Sequence, residues 1–244
     1  MKSLIQSLHI EKIKINEYLI LLSAPVLLTL YRYGFYIDRL YAFTHSGDSL
    51  PVSQDVPYVI FQWIGFFLLV FVIPVFFILF KLKDSPLDYG LKAGDWRFGL
   101  KWVGIAIPVV LPMAYITSGQ PDFLKEYPIA KSLLENQSDA CTYELCYVLL
   151  YYVAWEFYFR GFLLFGLMKT YGAMGAVLIQ TVSSCLIHIG KPGGEIAASI
   201  LAGILFGAIT LRTRSIWYSW AIHALLGVSV DLFIILKHIG WLSF

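Results

Sequence analysis

The sequence predicts an all-α fold, a polytopic transmembrane helical bundle with about seven spans. Hydrophobic residues make up 59% of the 244 and charged residues only 14%, a composition foreign to soluble domains. Mean hydropathy is +0.72. The apolar residues gather into runs of about 20, the length that carries a helix across roughly 30 Å of hydrocarbon. A helix also satisfies its backbone polar groups where no water can reach them. The lipid bilayer is thus the expected surroundings and the cell membrane the expected location. Net charge is +2, and no cluster of Lys and Arg is dense enough to grip a phosphate backbone, so no nucleic-acid partner is expected.

In chain order the runs fall near 17–37, 57–80, 98–117, 141–168, 172–190, 194–211 and 215–237. The first follows an arm bearing Lys2, Lys12 and Lys14, and no small-residue cleavage site follows it, so it reads as a retained span. Residues 84–97 hold Pro86, Gly90 and Gly94 among charges, the punctuation of a turn-rich loop. Residues 121–134 mix Phe123, Leu124, Tyr127, Ile129 and Leu133 with Asp122, Lys125, Glu126 and Lys131, which suits an interfacial helix or a solvated loop equally. The chain divides into 1–97 (arm, two spans, loop), 98–139 (third span and interfacial segment) and 140–237 (membrane core). Cys141, Cys146 and Cys185 cannot all pair, and Cys185 lies in an apolar run, so no disulfide framework is expected. Eleven Lys and Arg fall on the side of the arm, the 81–101 loop, Lys169, Arg212 and Arg214. Five, Arg39, Lys125, Lys131, Lys191 and Lys237, fall on the other. Cytoplasmic loops carry the excess, so the N-terminus is expected in the cytoplasm.

The fourth run contains Glu156 and Arg160. A charge at bilayer depth costs about 2.5–3.5 kcal/mol on the insertion scale, so two charges one turn apart mark a site or a structural ion pair. His188 and His223 lie in later runs. At about 1.5 Å of rise per residue, Glu156, His188 and His223 sit roughly 18, 24 and 12 Å from the cytoplasmic ends of their runs, which brackets the midplane.

Glu156-x-x-x-Arg160 followed by Gly161-Phe162-Leu163, then His188, then Glu195 after Lys191-Pro192-Gly193-Gly194, then His223-Ala224 resembles the CAAX protease and bacteriocin-processing family, also called the Abi family, over about residues 140–235. Leu87-Asp88-Tyr89-Gly90-Leu91 and Asp95-Trp96-Arg97 resemble the loop that commonly precedes this domain in bacterial members. The family's motifs are Glu-Glu-x-x-x-Arg, Phe-x-x-x-His and His-x-x-x-Asn. Three positions depart from them: Trp155 stands at the first glutamate, Ser184 at the phenylalanine and Gly227 at the asparagine. Asp231, one turn beyond Gly227, is a substitute polar group or a partner for a neighbouring helix.

The resemblance implies an intramembrane peptidase acting on a peptide or protein at the membrane, prenylated or not. A glutamate and the first histidine would activate water, while the second histidine and the asparagine hold the oxyanion. Carried over, Glu156 is the remaining carboxylate of the first motif and the expected base, assisted by His188, with His223 as oxyanion donor and Arg160 orienting Glu156. Glu195 reads as a first-turn helix residue favoured by the macrodipole or as an auxiliary. No cofactor is expected. A zinc site of His188, His223 and Glu156 has allowed ligand types, but the His-Glu-x-x-His helix is absent. A Ser184 or Cys185 nucleophile lies within helical reach of His188, without a glycine-flanked elbow. The rival outside enzymology is a member degenerate at its first glutamate that binds a peptide or partner membrane protein in the old cleft, as an immunity or scaffold protein does.

Overall fold

A computed structural model describes residues 14–33 and 55–243, which form eight helices and, among the described residues, no strand. Lys2, Lys12, Arg39 and the end of the first expected span lie outside the described residues. The helices are α1 (Ile15–Tyr33), α2 (Val56–Leu82), α3 (Trp96–Thr117), α4 (Pro121–Glu126), α5 (Ser132–Glu135), α6 (Ala140–Leu186), α7 (Gly193–Thr213) and α8 (Trp217–His238). Five of them, α2, α3, α6, α7 and α8, are long and apolar enough to cross a membrane. The chain is a multi-pass membrane protein.

Of the two runs by which seven exceeds five, one is the first, whose described helix α1 is not among the five, and the other has a local cause. Two expected spans, 141–168 and 172–190, are joined in α6, whose 47 residues are interrupted at Gly172, with φ 71° and ψ 171°. A side chain there would meet the steric penalty of positive φ, which glycine escapes. The helix ends at Leu186, so His188 lies in the turn 187–192 and not inside a span. The 121–134 segment is two short helices, not one. Phe123, Ala130 and Leu133 are buried, which gives the segment an inner face against the bundle.

Helices α1, α2 and α6 share one core around Ile20, Leu27, Phe66, Val70, Phe157 and Leu163. Helix α3 packs on α8 through Val110 and Ala114 against Tyr218, Ile222, Val230 and Ile234. Helix α7 approaches the second half of α6 closely at Gly203 and Gly207: a Cβ at either would press on Thr181 or on Gln180 and Val177. The Gln180 amide donates to the Gly203 carbonyl at 2.8 Å, the small-residue and polar contact expected between helices in lipid.

The turn-rich 84–97 loop docks on the α7–α8 connection. Ile216 N–H donates to Gly90 O at 2.9 Å, Tyr218 Oη to Ala93 O at 2.6 Å, and Arg212 pairs with Asp95 at 2.9 Å. The two basic loops therefore occupy one end of the bundle. The three cysteines are free.

Candidate active site

Helix α6 is wide-wound on both sides of Glu156. The stretches Tyr147–Tyr152 and Phe157–Leu163 are π-helical, with a short α-helical segment, Val153–Glu156, between them. Such local widening recurs at functional sites. Here the region carries Tyr152, Trp155, Glu156 and Arg160.

Glu156 is 0% exposed. Its Oε1 accepts from His223 Nδ1 at 2.8 Å, and its Oε2 lies 3.6 Å from Arg160 Nε, beyond hydrogen-bond distance. Helix α8 thereby brings His223 to the charged pair of α6, and Glu156 fixes the ring as a carboxylate fixes an imidazole in a triad. With Nδ1 committed, His223 keeps Nε2 for the cavity it borders.

A second carboxylate and histidine meet at the other wall. His188 Nδ1 lies 2.7 Å from the Ser184 carbonyl, which can only accept, so Nδ1 carries the ring's proton and Nε2 bears a lone pair. That Nε2 is 3.7 Å from Glu195 Oε1. Burial pushes the His188 imidazole down to about 4, so it is neutral at neutral pH. The Tyr127 hydroxyl lies 2.8 Å from both oxygens of Glu195 and donates to that carboxylate. Burial, reinforced by the Glu195 charge, pushes this phenol well above its usual range and keeps it a donor. Lys191 pairs with Glu126 and lies 4.8 Å from the centroid of the Tyr127 ring, closing the rim.

Between the two walls lies a cavity of about 190 Å³, bordered by Tyr152, Trp155, His188, Glu195 and His223 among others, while Glu156 and Arg160 do not border it. Trp155 stands edge-on to both imidazoles, with ring centroids 5.2 Å from His188 and 6.0 Å from His223. Its indole N–H is buried without a hydrogen-bond partner, an arrangement that costs about 1–3 kcal/mol. At the missing asparagine, a Cβ built on Gly227 would fall inside the Tyr152 hydroxyl, so Tyr152 fills the space that side chain would need.

The structure thus brings His188, His223 and Glu195 to one cavity, with Glu156 and Arg160 behind His223. Asp231 is elsewhere: fully buried, it accepts from Tyr143 Oη at 3.2 Å and does not border the cavity. Burial lowers the Lys131 ammonium, and the Asp231 charge opposes that shift. Ser184 is buried and its hydroxyl donates to the Thr181 carbonyl at 3.1 Å. Among the described residues no group of three or more His, Cys, Asp or Glu is placed to hold a metal ion. Sequence reasoning missed Tyr127 and Tyr152. Tyr127 lies in an irregular connection, and Tyr152 is one of three tyrosines among residues 147–152 with nothing to single it out.

A family model described as "Type II CAAX prenyl endopeptidase Rce1-like" matches residues 139–229. That stretch contains Glu156, Arg160, His188, Glu195 and His223. No curated protein and no solved structure matches the chain.

Proposed function

We propose that the chain hydrolyses peptide bonds of membrane-associated substrates by water attack, without a covalent intermediate and without a cofactor, a reading supported by the match of residues 139–229 to the model described as type II CAAX prenyl endopeptidase Rce1-like. The observation that carries the reading is the pair of imidazoles, His188 and His223, bordering one cavity with an unengaged Nε2 each.

His188 Nε2, with its lone pair towards the cavity, accepts a hydrogen bond from the attacking water and orients it for a neighbouring base. His223, when Nε2 carries a proton, donates to the oxyanion that forms on the scissile carbonyl. Glu156 fixes the orientation of His223, and Arg160 balances the Glu156 charge inside the bundle. This departs from the expectation that Glu156 itself takes the proton, and the support is its sealed position behind His223. The cavity rim carries Glu126 and Lys191, at the end away from the 84–97 loop. With the N-terminus cytoplasmic, the cavity opens on the outer face.

One observation favours a second reading. Trp155 and Tyr152 fill the places of the family's first glutamate and asparagine, which suits a protein that binds a peptide without cutting it. Purified protein in bilayer discs, offered prenylated and unprenylated peptides with and without chelator, tests both. The peptidase reading expects cleavage by the parent, unaffected by chelator, and a loss of at least about 100-fold in His188→Ala and His223→Ala. Peptide binding without cleavage would favour the second reading, and loss on chelation would revive a metal.

A further inference from the structure

We infer that Glu195 is the water-activating carboxylate of this site, acting with His188 in place of the glutamate whose position Trp155 occupies. The inference rests on the peptidase reading above and names the residue that the reading leaves open.

Three observations converge on Glu195. The first is access: it borders the cavity and its side chain is 20% exposed, against 0% for Glu156. The second is polarity. His188 Nε2 and Glu195 Oε1 face one another at 3.7 Å, and neither carries a hydrogen when the ring is neutral with its proton on Nδ1. Two acceptors so placed repel each other and are reconciled by a molecule with two donor hydrogens, which is water. The third is orientation. Tyr127, at 2.8 Å from both oxygens, holds the carboxylate in place, and the first turn of α7 favours its negative charge.

The step balances. Water donates one hydrogen towards His188 Nε2 and the other towards Glu195, which leaves an oxygen lone pair for the scissile carbonyl carbon. As the O–C bond forms, Glu195 takes a proton and the carbonyl π pair moves to oxygen, facing His223. When the C–N bond breaks, the proton on Glu195 passes to the departing nitrogen. One peptide bond and one water become a carboxylic acid and an amine, and Glu195 is again ionised.

The groups facing Glu195 are His188 and Lys191 of the turn, Glu126 at the end of α4 and Tyr127 just after it, Tyr151 and Tyr152 of α6, and His223 of α8. The test compares parent, Glu195→Gln and Glu195→Asp as full-length protein in bilayer discs, with thermal unfolding of each. Glu195→Gln keeps an oxygen for Tyr127, so it is expected to unfold at the parent temperature. Its kcat is expected to fall about 10²–10⁴-fold, with KM within about twofold and the acid limb of its kcat/KM profile shifted or lost. Glu195→Asp is expected to keep that limb at a reduced rate. A Glu195→Gln protein that cleaves within about threefold of the parent, with the same acid limb, overturns the assignment and leaves the peptidase reading standing. A parent that cleaves no peptide overturns both.

Discussion

Two carboxylate–histidine pairs lie a few side chains apart, built from the same chemistry, and the proposed mechanism gives them different uses. Glu156 and His223 touch at 2.8 Å, with the carboxylate sealed from water and Arg160 beside it, while the ring reaches the cavity. Glu195 and His188 stop at 3.7 Å on the wall of the cavity, with the Tyr127 hydroxyl holding the carboxylate. A carboxylate committed to a cation and a ring N–H has little left with which to accept a proton from water. One held by a tyrosine hydroxyl and facing an imidazole lone pair keeps that capacity. Burial and partner geometry, not residue type, separate a positioning carboxylate from a reacting one.

The largest expected effect comes from removing the buried Glu156 carboxylate. Glu156→Ala leaves the Arg160 guanidinium buried without its counter-charge, which costs about 3–5 kcal/mol. Thermal unfolding in detergent is expected to show that loss, together with lost cleavage. A variant as stable as the parent would mean that the pair contributes nothing to packing. Filling the family's asparagine position comes next. Gly227→Asn collides with Tyr152, and overpacking of this kind costs about 1–3 kcal/mol. The same melt is expected to fall, and to recover in part when Tyr152→Ala is added. An undisturbed Gly227→Asn protein would contradict the account of Tyr152.

A smaller effect sharpens the open pair. Tyr127→Phe removes the hydrogen bond that aims Glu195, and a bond to a charged group is worth about 1.5–3 kcal/mol. Steady-state assays are expected to show kcat/KM lower by about tenfold or more. No change would remove Tyr127 from the site. The smallest effect is in the dependence of stability on pH. The folded His188 sits at about 4 against an ordinary value of 6.5. Its contribution is therefore fully present above about 6.5 and declines as pH falls towards 4, because the unfolded chain takes up the proton first. Unfolding midpoints of the parent and His188→Gln proteins are expected to converge as pH falls through that window. A constant gap would contradict the burial of the ring.

Much of this architecture is legible in the sequence. Apolar runs located the helices, and motif spacing located Glu156, Arg160, His188 and His223. Helix ends were less legible: Gly172 joins two expected spans by a bend, and the helix before His188 stops at Leu186, which puts this histidine in a turn. The roles of the two glutamates were not legible. Glu156 carries the motif, but its seclusion depends on how α6 and α8 pack. Glu195 carries no motif, and its distance from His188 is set by the 187–192 turn, while Tyr127 arrives from a connection more than 60 residues upstream. Likewise, Gly227 reads as a missing asparagine until the Tyr152 hydroxyl is found in its place.

The division of labour between the carboxylates is tested most directly by cleavage per folded molecule for Glu156→Gln and Glu195→Gln, measured beside the parent on one peptide in bilayer discs. The account predicts that Glu195→Gln unfolds like the parent yet loses cleavage about 100-fold or more, while Glu156→Gln unfolds more easily. A Glu195→Gln protein that cleaves at the parent rate, beside a stable Glu156→Gln protein that does not cleave, would contradict it and return the catalytic role to Glu156.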